Sequence, residues 1–197
     1  MDKFRRFIGI LLILIGVSII GTVVYKKMVT SNKQNEVLES FENQLKEDNT
    51  NNESHDDVNL DSINGYTPIA IMEIPSIRLK QPVVEGVTED VIKYFLGKFP
   101  ESAMPGEVGN FSVAGHRVSD FTDAFINLYK VKPGDKVIVT TKSGKYTYEV
   151  DESFIVEPEQ VEVLDTADYE KITLITCTIG SKRRVIVTGR LIDKSEK

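Results

Sequence analysis

Cysteine residues and clusters of basic residues are scarce in this sequence. Cys177 is the only cysteine among the 197 residues, so no disulfide can form within the chain. The net charge is −6, and the lysine and arginine residues are scattered instead of forming a basic patch. Because proteins that bind nucleic acid neutralise phosphates with clustered cations, we expect no nucleic-acid partner.

Charged residues are also absent from an apolar segment near the N-terminus. Residues 7–25 carry no charge, and as a helix they would extend about 28 Å, close to the roughly 30 Å of a bilayer's hydrocarbon core. A cleaved signal peptide has a shorter apolar core and a small-residue cleavage site, so residues 1–27 are predicted to be an uncleaved transmembrane signal anchor. The flanking cations are Lys3, Arg5 and Arg6 before the segment and Lys26 and Lys27 after it. This slight bias predicts a single-pass protein of the cell membrane, with a cytoplasmic N-terminus and an extracellular remainder.

Residues 28–65 are dominated by polar and charged side chains. Such a composition buries too little apolar surface to offset the entropy of ordering, so the segment is predicted to be an extracellular stalk. Apolar residues at helical spacing predict one short amphipathic helix within it, marginal by itself: Val37, Leu38, Phe41 and Leu45. His55 lies among acidic residues of this stalk, where nothing would hold it in a catalytic geometry, and we exclude it from the site.

From residue 66 onward the sequence consists of short β-rich segments separated by turn residues. Seven segments are predicted as strands: IAIMEI, LKQPVV, FSVAG, DKVIVTT, KYTYEV, KITLITC and RVIVTGRLI. One short helix is predicted to begin at Thr88, and another to cover residues 121–128 with Asp120 as N-cap. Many strands and few helices predict an all-β domain over residues 66–197, built as a closed or nearly closed β-barrel.

Cys177 ends a predicted strand, where a substrate can reach its side chain. An unpaired cysteine is unusual in an exported protein, because export usually pairs or removes cysteines. Arg184 begins the last predicted strand after a short loop, so Cys177 and Arg184 are expected to face each other across neighbouring strand ends. Alternation directs Arg183 and Arg184 to opposite faces, so at most one of them can serve the thiol.

His116 directly follows the predicted strand FSVA, and Gly115 before it allows a close approach of the backbone. A cysteine nucleophile needs a base or cation to form the thiolate and an acid to protonate the departing amine, and one imidazole can do both. Taken singly, His116 and Arg184 would be read as ordinary surface residues, and Cys177 as a buried one. The three residues together predict a nucleophilic site.

Three motifs resemble those of sortases, the cysteine transpeptidases of Gram-positive bacteria. TLITC, which ends at Cys177, is similar to the sortase cysteine signature, AGHR at residues 114–117 resembles the histidine segment, and RVIVTG from Arg184 resembles the arginine strand. Further segments match in the same order: IPSIRLKQPVVEG, FPESAMPGEVGN and KPGDKVIVTTKSGKYTYEV. The resemblance covers nearly everything after residue 66.

This resemblance implies an eight-stranded sortase-type β-barrel with two or three short helices, preceded by the transmembrane helix. It implies that Cys177 attacks the threonine carbonyl of an LPxTG-like sorting signal on a secreted protein and forms a thioacyl intermediate. His116 would protonate the leaving amine and later deprotonate the incoming one, and Arg184 would stabilise the oxyanion. The acceptor would be an amino group of a peptidoglycan precursor, so the client protein would become joined to the cell wall. The substrate groove would involve the segment between residues 153 and 171.

Among sortase subclasses the sequence resembles class D most, followed by class A or E, because the loop between Cys177 and Arg184 is short and the helical insertion of class B is absent. No cofactor is expected. Some class A enzymes use calcium, and the carboxylates to consider are Glu101, Glu107, Glu157, Glu159 and Glu162. These residues have no ordered ligand spacing, so solvated surface residues are the preferred interpretation.

Two alternative functions stay open from the sequence. A membrane-anchored cysteine endopeptidase that passes its thioester to water would use the same nucleophile, base and oxyanion site. A non-catalytic β-barrel that binds envelope ligands would instead keep Cys177 packed in its core.

Overall fold

The structure, a computed structural model, describes residues 2–48, 62–63, 65–118 and 124–196. It begins with one long helix, α1 (Asp2–Asp48), and a four-residue helix, α2 (Glu89–Ile92), lies later in the chain. The described residues also contain eight strands: β1 (Pro68–Ile74), β2 (Leu79–Glu85), β3 (Leu96–Lys98), β4 (Gly109–Ala114), β5 (Lys136–Thr140), β6 (Gly144–Val156), β7 (Glu170–Cys177) and β8 (Arg184–Glu196). Short 3₁₀ helices cover Pro75–Ile77, Leu128–Lys130 and Val161–Leu164.

The strands form one closed barrel, which confirms the predicted all-β class and strand number. Around the barrel the order is β1, β2, β3, β4, β7, β8, β6, β5, and β5 pairs with β1 to close it. The β2–β3 and β4–β7 pairs are parallel and the other pairs are antiparallel. Closure leaves no free sheet edge and gives each strand an inner and an outer face.

The barrel interior is filled by apolar side chains at alternate strand positions. Phe111 and Val113 on β4 and Ile172 and Leu174 on β7 belong to this core and are almost fully buried. Each such side chain contributes about 1.5–3 kcal/mol on burial. The residues between them therefore face outward, and this alternation decides where the site residues point.

Helix α1 has an exposed apolar first half. Its most apolar 18-residue window has a mean hydropathy of 2.8, and none of it is buried. By length and composition this helix is able to cross a membrane. The finding agrees with the predicted N-terminal anchor, and the direction of insertion stays a prediction.

The second half of α1 differs from the predicted stalk. The helix continues to Asp48, and Val37, Phe41 and Leu45 are buried against the barrel. Val37 packs with Val84 and Phe95, while Phe41 and Leu45 pack with Ile71. A helix that is marginal alone is thus stabilised by tertiary contacts that composition does not reveal. The boundaries at 27/28 and 65/66 stay predictions, and His55 lies outside the described residues.

The two predicted short helices have different outcomes. Helix α2 follows Thr88, although the Thr88 side chain makes no capping hydrogen bond. The predicted N-cap Asp120 and the start of the 121–128 helix lie outside the described residues. Residues 124–127 form turns, and the 3₁₀ helix Leu128–Lys130 follows them.

Candidate active site

Three strand ends meet at one rim of the barrel. β4 and β7 are parallel neighbours, so their carboxyl ends lie at the same rim. β8 is antiparallel to β7 and therefore begins at that rim. His116 follows β4, Cys177 ends β7 and Arg184 begins β8. All three residues predicted from the sequence are thus brought to the same rim.

Cys177 and Arg184 are paired across β7 and β8. Directly opposite residues of an antiparallel pair have Cα atoms about 4.5–5.5 Å apart and share one face of the sheet. Because Ile172 and Leu174 point into the core, alternation along β7 directs Cys177 outward. Arg184 therefore lies beside Cys177 on the outer face.

His116 reaches the same face from β4. Ala114 pairs with Ile175, and the Gly115 amide donates a hydrogen bond of 3.1 Å to the Ile175 carbonyl. Extending this parallel register by two residues brings His116 alongside Cys177, on strands about 4.8 Å apart. Since the inward residues of β4 are Phe111 and Val113, His116 also faces outward.

The backbone beside His116 is held by close packing. The buried Thr176 hydroxyl donates a hydrogen bond of 2.8 Å to the Gly115 carbonyl, and the Phe125 amide donates one of 3.0 Å to the His116 carbonyl. A Cβ at position 115 would lie 2.6 Å from Leu96 Cδ2 and 2.8 Å from Phe125 Cδ2. A larger residue here would push against both side chains, which agrees with the close approach expected at Gly115.

The loop between β7 and β8 orients Arg184. The Thr178 amide donates to the Arg183 carbonyl at 2.9 Å, and the Ser181 amide donates to the Thr178 carbonyl at 2.9 Å. The Arg184 Nη1 atom donates to the Ser181 and Arg183 carbonyls at 3.2 and 3.4 Å. A guanidinium carries five N–H groups, so these contacts leave donors for a ligand. Arg183 contributes only its backbone here, and its side chain is exposed.

His116, Cys177 and Arg184 are each partly exposed. A substrate can therefore reach the thiol from outside the barrel, whereas a purely structural cysteine is usually sealed in a core. Within residues 65–118 and 124–196, no carboxylate is hydrogen-bonded to the His116 ring. The arrangement consists of a thiol, an imidazole and a guanidinium.

The segment between β6 and β7 is fixed above β4 by Asn110, a residue that the sequence did not single out. The buried Asn110 amide donates hydrogen bonds to the Val163 and Asp165 carbonyls at 3.1 and 3.0 Å. Its carbonyl accepts the Thr173 hydroxyl at 2.8 Å. This segment belongs to the region predicted to form the substrate groove, and its role stays a prediction.

Val156 is another residue that sequence reasoning missed. It ends β6 directly opposite Arg184, so Val156, Arg184 and Cys177 form a row across three strands. The sequence predicted a shorter strand than β6, because its pairing with β8 over its full length is a non-local contact that its own residues do not reveal. A buried apolar side chain thus flanks Arg184 on the side away from the thiol.

Carboxylates form no metal-binding arrangement in the described part of the chain. No group of three or more histidine, cysteine, aspartate or glutamate side chains there is placed to hold an ion. Of the glutamates considered for calcium, Glu107 accepts a hydrogen bond of 3.0 Å from the Met104 amide. The expectation that the chain needs no cofactor stays a prediction.

Comparisons with known proteins agree on one family. A model of the sortase domain matches residues 72–192. Sortase A of Bacillus anthracis is 27% identical over 211 residues that cover both chains fully. Sortase A of Streptococcus agalactiae is 35% identical over 124 residues, which are 60% of this chain and 50% of that protein.

A solved structure extends this agreement to the fold. The Clostridium perfringens Sortase D5 transpeptidase is 32% identical and superimposes with a TM-score of 0.63 over 86% of this chain and 99% of its own. The domain match runs from β1 into β8 and contains His116, Cys177 and Arg184. The chain therefore belongs to the sortase family.

Proposed function

We propose that the chain is a membrane-anchored sortase that cleaves an LPxTG-like sorting signal after threonine and transfers the client protein to an amino group of a peptidoglycan precursor. The observation that carries this proposal is the pairing of Cys177 with Arg184 next to the end of β4, where His116 follows. Family membership supports the reaction class, because sortases are cysteine transpeptidases.

In the first half of the reaction, the Cys177 thiolate attacks the threonine carbonyl. The new C–S bond forms a tetrahedral intermediate whose oxyanion is stabilised by the free N–H groups of Arg184. The C–N bond then breaks, and His116 donates its proton to the departing amine. The products are a thioacyl enzyme and the released C-terminal part of the signal.

The second half reverses these roles with a different amine. His116 takes a proton from the acceptor amine, which attacks the thioester carbonyl. Arg184 again stabilises the oxyanion, and the C–S bond breaks to restore the thiolate. An amide between client and acceptor is formed, with no net oxidation or reduction.

The location of the active domain is part of the same proposal. We place the apolar half of α1 in the cell membrane as a single pass, with the N-terminus in the cytoplasm and the barrel outside. The 18-residue apolar window supports the anchor, and the charges flanking it support the direction. Secreted proteins that carry a sorting signal and the acceptor amine would meet the enzyme on this side.

We also propose class D for the subclass. The short β7–β8 loop and the match over 99% of the Sortase D5 chain support it. The match over the whole length of a Sortase A supports class A as the second candidate. Comparing class-specific sorting peptides would separate the two.

The test uses the full chain in detergent micelles, because Val84 and Phe95 of the barrel are covered by α1. Cleavage of fluorogenic LPxTG-type peptides is measured for the wild type and for Cys177→Ala, His116→Ala and Arg184→Ala, with and without an amine acceptor. Arg183→Ala is the matched control. We expect the first three variants to lose cleavage of the peptide and the control to keep it. We expect the acceptor to divert the acyl group to an amide product.

Other outcomes would support the alternatives. If the thioester goes only to water even at high acceptor concentration, the chain is an endopeptidase. If cleavage is indifferent to Cys177→Ala, the transpeptidase account fails and a binding module is the better one. The partly exposed Cys177 is the observation against that last reading.

A further inference from the structure

One rim of the barrel holds both the active site and the place where α1 first meets the barrel. β1 ends and β2 begins at this rim, and β3, which is parallel to β2, begins there too. β4 is antiparallel to β3, and β7 is parallel to β4, so both of these strands end at the same rim. The start of β2 and the ends of β4 and β7 therefore share one rim, which we call the active-site rim.

Helix α1 passes the active-site rim before it runs along the wall of the barrel. Thr30 and Ser31 line one cavity together with Leu79, the first residue of β2. Further along the helix, Val37 packs with Val84, close to the end of β2. α1 thus runs from the active-site rim toward the opposite rim, and its apolar first half extends beyond the active-site rim.

The depth of this rim follows if residues 7–25 span the bilayer. Along the helix axis, Thr30 lies about 7.5 Å beyond Tyr25. The headgroup layer of one leaflet is roughly 5–8 Å thick. The active-site rim is therefore at the level of the lipid headgroups, a position that rests on the membrane anchor of the proposed function.

Large apolar side chains at the active-site rim are exposed. Val118 closely follows the active-site histidine and is 57% exposed, and Ile179 closely follows the active-site cysteine and is 81% exposed. Because the histidine and the cysteine end neighbouring strands, both apolar side chains belong to the same part of the rim. Single exposed apolar residues are common, whereas a group of them marks an interaction surface.

Tyr129 adds an aromatic ring and two cations to this surface. It is 50% exposed, and its ring centroid lies 4.8 Å from Arg117 Cζ and 5.5 Å from Lys130 Nζ. Arg117 is the residue before Val118, so Tyr129 belongs to the same rim. Tyrosine rings and long basic side chains are typical of membrane–water interfaces, because each has an apolar body and a polar end.

The charge of the rim is mixed. Lys182 and Arg183 are exposed on the loop that carries Ile179, while Glu157 and Glu159 are exposed directly after β6. Electrostatic attraction to lipid phosphates is therefore not what selects the partner of this surface. The apolar side chains select it, since neighbouring charged groups can extend into water while apolar groups are buried.

We propose that the active-site rim rests on the surface of the bilayer that α1 spans, with Val118 and Ile179 inserted at the lipid interface. A lipid surface is the partner because the apolar half of α1 extends from this rim and not from the opposite one. The active site then opens beside the membrane surface, whichever peptide it cleaves.

The test places one fluorescent label at a time on the full chain in vesicles of phosphatidylglycerol and phosphatidylcholine. Each chain carries Cys177→Ala and one of four substitutions: Ile20→Cys, Val118→Cys, Ile179→Cys or Val108→Cys. The introduced thiol is labelled with nitrobenzoxadiazole, whose emission shifts to the blue in apolar surroundings. Quenching by lipids that are brominated near the top of the acyl chain then shows which labels contact the bilayer. All four replaced side chains are more than half exposed, so the labels leave the core intact.

Val108 is the matched control, because it is an exposed valine that precedes β4, whereas Val118 comes after β4. From Val108 to His116 the chain advances about 26 Å along the strand, or about 20 Å along the barrel axis at the usual strand tilt. Ile20 lies in the apolar half of α1 and reports the anchor itself. Since every labelled chain lacks Cys177, the result does not depend on whether the protein cleaves peptides.

The expected result is blue-shifted emission and loss of fluorescence on brominated lipid at positions 20, 118 and 179, and neither change at position 108. The melting temperatures of the four unlabelled variants should match that of Cys177→Ala alone. A label that contacts lipid because the barrel has unfolded is thereby recognised.

Three results would overturn the proposal. Quenching at position 20 without quenching at both 118 and 179 would mean that the rim stands clear of the membrane, and its apolar side chains would then serve a protein client or the acceptor. Equal quenching at position 108 would mean that the barrel is not oriented by this rim. No quenching at position 20 would refute the proposed anchor and the orientation with it, while the catalytic proposal would be unaffected.

Discussion

Cys177 on β7 and Arg184 on β8 are directly opposite each other in an antiparallel pair. Their side chains therefore leave the barrel on the same face. The adjacent Arg183 lies in the loop and turns a backbone carbonyl toward Thr178 and Arg184. The register thus separates two arginines that look equivalent in the sequence.

Replacing Arg184 should slow catalysis far more than replacing Arg183. We expect Arg184→Ala to lower kcat by about 10²–10³-fold, the usual cost of one lost oxyanion donor. Arg184→Lys should recover only part of this, because an ammonium lacks the planar fork of donors. Steady-state cleavage assays measure both, with Arg183→Ala as the reference. Equal losses at the two positions would contradict the assignment.

Thr176→Val should disturb the relation between His116 and Cys177 without touching either side chain. Valine keeps the shape of threonine but cannot donate to the Gly115 carbonyl. The free energy of unfolding should fall by about 1–3 kcal/mol, and kcat should fall more than KM rises. Thr176→Ser retains the donor and should restore kcat. If serine and valine behave alike, the hydrogen bond does not position the histidine.

Gly115→Ala should destabilise the barrel by overpacking. Its new methyl group would overlap Leu96 and Phe125, and such crowding typically costs about 1–3 kcal/mol. Because the Phe125 amide also holds the His116 carbonyl, activity should fall with stability. The double variant Gly115→Ala with Phe125→Leu makes room and should recover part of the melting temperature. If the decreases in melting temperature of the two single substitutions simply add in the double variant, the methyl group at position 115 does not contact Phe125.

The strands, and the position of the three candidate site residues at strand ends, could be predicted because both depend on local patterns. Alternation and turn residues mark the segments around β4, β7 and β8, and the motifs at Cys177, His116 and Arg184 lie at their ends. The three-residue strand β3 was missed, because three residues are too few for an alternation to be visible. The last residues of β6 were missed because their pairing with β8 is a non-local contact.

The second half of α1 could not be placed from the sequence for a related reason. Val37, Phe41 and Leu45 give the right helical spacing, but the surface that buries them is formed by β1, β2 and the segment before β3. Composition therefore predicted a stalk where packing produces a docked helix.

Alkaline pH should destabilise the fold through Tyr148. Burial raises the pKa of the Tyr148 phenol to about 12, whereas the unfolded chain ionises near the ordinary value of about 10. The stabilisation by neutral Tyr148 is therefore complete below about pH 10 and is lost as the pH rises through about 12. In urea unfolding between pH 8 and 11, the free energy of unfolding should fall more steeply with pH for the wild type than for Tyr148→Phe.

The comparison with Tyr148→Phe removes the effects of other ionising groups, because these are shared. At neutral pH the variant should be less stable, since the Gly106 amide loses the hydrogen bond of 2.8 Å that it donates to the phenol oxygen. The difference in free energy of unfolding between the wild type and Tyr148→Phe should decrease as the pH rises. If this difference in free energy of unfolding is the same at every pH, ionisation of Tyr148 does not affect stability.

The intact mass of the protein after mixing with an LPxTG-type peptide tests whether Cys177 forms a thioacyl intermediate. Without an acceptor, we expect an adduct on Cys177 with the mass of the acyl part of the peptide, and we expect it to disappear into an amide product when an amine is added. An adduct on another residue, or cleavage in the Cys177→Ala variant, would contradict it.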